Sequence, residues 1–267
     1  MSWTDLDRPP LSAPRLRRDL ADDGFEVDVV ARTASTNADL LREAGNGAVE
    51  GTVLVAEAQE AGRGRLGRTW TSPPRAGLTF SVLFRPPAPS GWLPLLTGLA
   101  VSMALREQAG VQAGLKWPND VVVLSADDEE RKVAGILAEV AADGAVVVGV
   151  GLNVSTRAAE FEGLPPGALA PTSLALSGAL TTDRETVLKA ILRDLSRAYT
   201  AWRSDAATVA PLYRQVCTTL GRRVRLELPG GRAVEGEALD VDDDGRLLVR
   251  SGDDVGRYDV GDVLHLR

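Results

Sequence analysis

The chain predicts an α+β fold: a mixed, mostly antiparallel sheet with helices, followed by a small C-terminal β-barrel. Three observations carry this. Between Phe25 and Thr218, short apolar runs alternate with amphipathic helical patterns. After Thr218 the helical patterns stop, and short alternating segments separated by Gly and Asp clusters take over. The length, 267 residues, suits one large domain plus a small one.

The elements follow in order. Residues 1–24 are rich in charge and in proline (Pro9, Pro10, Pro14) and read as a loosely packed arm with a short helix over 15–21. Glu26 to Val30 reads as a strand. Ser35-Thr36-Asn37 supplies helix N-cap residues, and the helix it opens closes near Gly45. Val53 to Ala56 is a short buried strand. Leu78, Phe80, Val82 and Phe84 alternate with Thr79, Ser81 and Leu83, the pattern of a strand with one buried face. Leu96, Leu99, Ala100 and Met103 recur at helical spacing, with Gly110 as the stop. Val121 to Leu124 and Lys132 to Val140 read as strands around a polar turn, Ser125 to Arg131, and Ala145 to Val154 as another strand. Residues 155–171, with Pro165, Pro166, Gly167 and Pro171, read as a loop. Thr182-x-x-Glu185 has the form of a capping box opening a long helix with Val187, Ile191, Leu195 and Trp202 on its apolar face. Strands near 224–228, 232–240, 246–250 and 255–259 complete the barrel. The expected units are an arm (1–24), a catalytic domain (25–218) and a C-terminal domain (219–267).

Composition narrows the function. The net charge of −7 argues against a protein built to grip a phosphate backbone. Cys217 is the single cysteine and His265 the single histidine, at the far C-terminal end, so neither a disulfide nor a Ser-His or Cys-His pair is expected. The start has no basic-then-apolar leader and no apolar run is long enough to span a bilayer, which points to a cytoplasmic protein without membrane contact.

Chemistry concentrates in a few motifs. Gly62 to Gly67 hold three glycines, two arginines and a leucine, and Arg68 and Trp70 follow. Glycines let backbone approach a ligand, arginines fork onto phosphate or carboxylate, and an indole offers a face to a ring. This reads either as a mobile surface loop or as a lid over an anionic, ring-bearing ligand. Gln59, just upstream, could hydrogen-bond an amide or ureido group. In Lys116-Trp117-Pro118-Asn119-Asp120, the Trp-Pro pair favours extended chain and sets Asn119 and Asp120 at a strand start; the other reading is an Asx turn. Lys132 heads an apolar strand, either solvated or stabilising charge on a carboxylate and a phosphate. Gly135, and Gly149 and Gly151 two residues apart, imply a ligand or backbone pressed against the strands. Asn153 could reach a phosphate or a metal-bound water.

Taken together, Ser-Thr-Asn at 35–37, Gln-x-Ala-Gly-Arg-Gly-Arg-x-Gly-Arg-x-Trp at 59–70, Lys-Trp-Pro-Asn-Asp at 116–120, Lys-Val-Ala-Gly-Ile-Leu-Ala-Glu at 132–139 and Gly-Val-Gly-Leu-Asn-Val at 149–154 resemble the biotin protein ligases. The resemblance covers about residues 25–267. It implies a class II synthetase-like core with an SH3-like C-terminal domain. It also implies activation of biotin by ATP with Mg²⁺ to biotinyl-5′-AMP, then transfer to one lysine of a biotin carboxyl carrier domain of a biotin-dependent carboxylase. On the family pattern Ser35, Thr36, Asn37, Gln59 and Gly135 line the biotin pocket, and Arg63, Gly64 and Arg65 close over it. Arg65, Arg68 and Trp70 meet the nucleotide together with Asn119, Asp120 and Asn153. Lys132 contacts the biotin carboxylate and the α-phosphate. Lys132, Arg63 and Arg65 are thus the expected catalytic cations. Dedicated metal ligands are not expected, Mg²⁺ coming with ATP and Asp120 the candidate contact.

Two departures stand out. Leu66 sits where some relatives carry a basic residue, and the residues ahead of the core are too few for the DNA-binding domain of bifunctional members, which points to a ligase that binds no DNA. The alternatives are a lipoate or octanoate ligase on a similar core, and a nucleic-acid-binding module using the arginine loop and the barrel.

Overall fold

The computed structural model describes residues 8–88, 90–125, 129–161 and 169–266. The first seven residues of the expected arm, the middle of the 125–131 turn and Pro165-Pro166-Gly167 lie outside them. In chain order the elements are α1 (Ala13–Leu20), β1 (Glu26–Val30), α2 (Thr36–Gly45), β2 (Thr52–Ala56), β3 (Gly77–Phe84), α3 (Trp92–Gln108), β4 (Ala113–Lys116), β5 (Asp120–Leu124), β6 (Glu130–Val140), β7 (Val146–Asn153), α4 (Arg184–Ser204) and α5 (Ala210–Val216). The C-terminal strands are β8 (Arg223–Glu227), β9 (Ala233–Val241), β10 (Leu247–Ser251), β11 (Asp254–Tyr258) and β12 (Asp262–His265).

The first seven strands form one sheet in the order β1-β2-β3-β7-β6-β5-β4, antiparallel except for the β1–β2 pair. Period-2 alternation decides which side chains go where. On β3, Leu78, Phe80, Val82 and Phe84 enter the main core, and on β7 Val146, Val148, Val150 and Leu152 do the same. That core also takes Leu16 and Leu20 of α1, Leu96 and Leu99 of α3, and Val187, Ile191 and Leu195 of α4. The opposite face is covered partly by α2, through a small cluster of Leu40, Ala44, Leu83, Ala145 and Val147. The rest of that face carries the candidate site.

The C-terminal strands form a five-stranded antiparallel sheet, β11-β10-β9-β8-β12. It is fastened to the larger sheet by two buried indoles: Trp92 Nε1 donates to the Asp243 carbonyl at 2.7 Å and Trp117 Nε1 to the Gly245 carbonyl at 3.1 Å. No helix among the described residues is long and apolar enough to cross a membrane.

Four expectations change. The arm is not loosely packed over its helix: Leu16 and Leu20 are fully buried, because their four-residue spacing puts both on one face against β1 and α4. β3 is buried at all eight positions, since α2 and the site cover its polar-looking face. The cap of α4 is Asp183, which accepts from Thr186 N, whereas Glu185 pairs with Arg15; a carboxylate one residue nearer displaced the Thr182 hydroxyl. Residues 117–119 form a hairpin turn between β4 and β5, with a cis Trp117–Pro118 peptide, rather than extended chain. Sequence patterning also missed β4, α5 and β12, all short.

Candidate functional site

The site grows from a row of register partners. Asp120 pairs with Gly135, Gly135 with Gly151, and Gly151 with Thr79, from β5 across to β3. One pleat along, Gly149 pairs with Ser81 and Leu137. Three glycines therefore leave a trough in the sheet, and the chain's own side chains occupy it. A Cβ on Gly149 would lie 2.2 Å from Asn37 Oδ1, and one on Gly151 would lie 2.2 Å from Trp70 Cε2. A Cβ on Gly135 would meet Trp70 Cζ3 and the end of Lys132, each at 3.3 Å. The close approach expected at these glycines is thus made by Asn37, Trp70 and Lys132.

One end of the trough is a buried polar cluster. Ser35 caps α2, its Oγ accepting from Ala38 N at 3.4 Å. Gln59 Oε1 accepts from Thr36 N at 2.8 Å and from Thr36 Oγ1 at 3.1 Å. Ser81 Oγ lies 2.7 Å from Thr36 Oγ1 and 2.6 Å from Asn37 Oδ1. Asn37 Nδ2 donates to the Leu137 carbonyl at 3.1 Å and to Glu139 Oε2 at 2.8 Å. Ser35, Thr36, Asn37 and Ser81 are all buried, so the network is fixed before any ligand arrives.

The other end is charged. Lys132 Nζ lies 2.6 Å from Asp120 Oδ1 and 5.9 Å from the centre of the Trp70 ring. A bulge in the β5–β6 register falls beside Lys132, whose backbone turns to pair with residues 170–172. Asn153 joins it there, donating Nδ2 to the Thr172 carbonyl at 3.0 Å. Asn119 donates to the Ile136 carbonyl at 3.0 Å and accepts from Arg65 Nη1 at 3.3 Å. Lys116 is turned away: its Nζ donates to the Val263 carbonyl, and burial lowers its pKa against the pull of Asp120.

The arginine loop arches over both. Residues 62–70 form a miniature hairpin, with Trp70 N donating to the Gly62 carbonyl at 2.9 Å and Gly64 N to the Arg68 carbonyl at 2.7 Å. Leu66 and Gly67 turn the tip through left-handed backbone, φ 55° and 73°. Arg63 reaches Glu139 at 3.3 Å, Arg65 reaches Asn119 and the Gly261 carbonyl, and Arg68 pairs with Asp262. Burial lowers the Arg65 pKa, opposed by the charges of Asp262 and Asp120. Trp70 holds its indole N–H buried and without a hydrogen-bond partner.

Thr36, Asn37, Gln59, Trp70, Asn119, Asp120, Lys132, Gly135 and Asn153 therefore come together along the trough, whereas Ser35 caps α2 and Arg68 reaches to Asp262 of the second sheet. Ser81, Glu139 and Asp262 were missed. A serine within an otherwise buried strand was the available signal for Ser81; Asp262 carried none, because its role is set by the docking of the second sheet. Cys217 is buried and burial pushes its thiol up, so it offers no nucleophile.

Comparison with known proteins gives the family. Residues 29–155 match a model of the biotin/lipoate A/B protein ligase family, and residues 219–266 the biotin protein ligase C-terminal domain. A biotin–[acetyl-CoA-carboxylase] ligase of Mycobacterium tuberculosis is 44% identical over 99% of this chain and 100% of its own length. The chain belongs to the biotin protein ligase family. The bifunctional ligase/repressor BirA of Escherichia coli is 32% identical over 85% of the chain and 70% of its own length. Among solved structures, the ligase of Aquifex aeolicus in complex with biotin and ATP superposes with a TM-score of 0.72 at 29% identity, covering 89% of this chain and 97% of that one. The Mycobacterium tuberculosis and Aquifex aeolicus relatives carry biotin-ligase names, and the lipoate and nucleic-acid alternatives are not favoured.

Proposed function

We infer that this ligase activates biotin with ATP and transfers it to one lysine of a biotin carboxyl carrier domain. The observation that carries the reading is that a buried polar cluster and a set of cations, Lys132 with Arg63 and Arg65 on the loop above it, border one glycine-floored trough. Gln59, Thr36 and Asn37 offer the donors and acceptors that a ureido ring needs. Lys132, Arg63 and Arg65 stand where a carboxylate and a triphosphate, which repel each other, have to meet.

The carboxylate oxygen attacks the α-phosphorus, the bond to pyrophosphate breaks, and biotinyl-5′-AMP forms. The carrier lysine amine then attacks the acyl carbon, and AMP leaves. Lys132 neutralises the carboxylate and α-phosphate as they approach, giving up its hold on Asp120. Arg63 and Arg65 close from above, and Arg68 exchanges Asp262 for phosphate. Trp70 supplies an apolar wall and one free indole donor. A closed loop keeps water from the mixed anhydride.

Among the described residues no cluster of three or more His, Cys, Asp or Glu side chains is arranged to hold a metal. Asp120 and the Asn153 amide oxygen are hard oxygen donors suited to Mg²⁺ held mainly by ATP phosphates. The bound ion would supply further neutralisation of the polyphosphate. We place the reaction in the cytoplasm, on residues 25–218, with 219–267 as a distinct domain.

The test is direct. Purified protein, biotin, ATP with Mg²⁺ and a carrier domain should yield one biotinylated lysine by intact mass and peptide mapping. An unmodified carrier, with no biotinyl-AMP in the mixture, refutes the reading.

A further inference from the structure

Both ends of the arginine loop are held by one guanidinium. Residues 57–76 connect β2 to β3, and the neck of this connection is closed by Arg75 N donating to the Glu57 carbonyl at 2.8 Å. Beneath the neck lies Arg184, the first residue of α4, which is buried. Its Nη1 donates to Glu57 Oε2 at 2.7 Å and to the Gly77 carbonyl at 3.3 Å, and its Nη2 donates to the Pro9 carbonyl at 2.6 Å. Glu57 Oε1 accepts in turn from Leu11 N at 2.6 Å. The residue before the loop, the residue after it and the N-terminal segment therefore meet on a single planar fork. That segment is tied down again where Arg8 donates to the Ser155 carbonyl at 2.9 Å and to Glu160 Oε1 at 3.1 Å.

A buried ion pair is a poor way to gain stability, because desolvation offsets much of the attraction. What a guanidinium gives that an apolar pair cannot is fixed geometry across several acceptors. The contacts nearer the loop tip, Arg63 with Glu139 and Arg68 with Asp262, involve half-exposed arginines that a ligand can displace. At the neck the Arg184 and Glu57 side chains are only 6% and 9% exposed, and they touch no reacting group.

We propose that Arg184 is a positioning residue for the adenylation site: through Glu57 and Gly77 it fixes the neck, so that residues 62–70 open and close as one hairpin about a set hinge. The proposal rests on the ligase reading above and concerns only how the loop is held.

The test uses the full chain with Arg184→Lys and with the charge-neutral pair Arg184→Met/Glu57→Gln. Trypsin cleavage after Arg63, Arg65 and Arg68, without substrates, reports loop freedom independently of catalysis. Release of biotinyl-AMP from enzyme loaded with biotin and ATP reports closure. For the neutral pair both rates should rise about tenfold, with adenylate formation slowed several-fold because Arg63 and Arg65 ride on the loosened loop. Arg184→Lys should fall between, since an ammonium can hold Glu57 but cannot span to Gly77. Loop cleavage and adenylate retention equal to wild type, whatever happens to the melting temperature, would overturn the proposal. If the double variant does not fold, cleavage of Arg184→Lys decides. If the wild type forms no adenylate, the ligase reading fails, and the trypsin measurement still judges the hinge.

Discussion

The polar pocket and the arginine loop meet in one site but are held in opposite ways. In the pocket, Ser35, Thr36, Asn37 and Ser81 are buried; Ser35 caps α2, and the hydrogen bonds of the other three run to one another, to Gln59, to the β6 backbone and to Glu139. In the loop, Arg63 and Arg68 are about half exposed and lean on single carboxylates, Glu139 and Asp262. Exposed pairs of that kind contribute only about 0.2–1 kcal/mol each. The pocket is thus built to recognise and the loop is built to let go. A ligand bearing a carboxylate and phosphates can draw Arg63 from Glu139 and Arg68 from Asp262 at small cost, whereas the Asn37 network is buried and satisfied by its own partners.

The largest effect should come from the cation between the two. Lys132→Ala is expected to slow adenylate formation roughly 10³-fold while leaving the circular dichroism and melting profile intact; normal pyrophosphate release by that variant would remove Lys132 from the mechanism. Next comes the pocket floor. Gly149→Ala places a methyl 2.2 Å from Asn37 Oδ1 and should weaken biotin binding about 100-fold, because a buried network left partly unsatisfied loses several hydrogen bonds at once. Calorimetry checks this, and unchanged affinity would mean the network is more pliant than the pocket-loop contrast requires. Arg63→Gly should let adenylate escape about tenfold faster, seen as biotin on bystander lysines; strict selectivity in that variant would count against a closing loop.

Smaller still is Asp262→Asn. Freed from its carboxylate, Arg68 should bind nucleotide up to about threefold more tightly at low salt, and the gain should vanish as salt is added. The weakest effect concerns acidity. Burial raises the Glu130 carboxyl, but hydrogen bonds from His265 and Thr218 and the charge of Arg222 outweigh it and hold the pKa below the ordinary carboxylate value. A carboxyl with a lowered folded pKa adds stability above its unfolded pKa of about 4.3 and loses it as pH falls through the folded value. The melting temperature should therefore drop more steeply below about pH 4.3 in wild type than in Glu130→Gln. Parallel profiles would show that this contact between β6 and the second sheet carries no charge-dependent stability.

Much of this layout is legible in the sequence, for reasons that differ by residue. Glycines at 135, 149 and 151 announce themselves because a buried strand has no other use for them. The cluster at 62–70 is legible because its composition fits no packing rule. What stays hidden is whatever depends on a distant partner. Glu57 and Arg184 look like ordinary helix-end and loop charges until the fold brings them within 2.7 Å. The capping of α4 by Asp183 and the burial of Leu16 and Leu20 are hidden likewise, since competition between neighbouring caps and the docking of a short helix are settled by tertiary contacts.

The turn from Lys116 to Asp120 has a consequence of its own. Its first two residues grip the second sheet, through the Val263 carbonyl, the Thr219 hydroxyl and the Gly245 carbonyl, while its last two face the trough. One short peptide is therefore both a clamp between two folding units and a wall of the glycine-floored trough. A lesion at Trp117 would register in a kinetic assay as damaged chemistry although the fault is mechanical, and the indole of Trp92, which holds the same seam, is left as a fluorescent reporter of it.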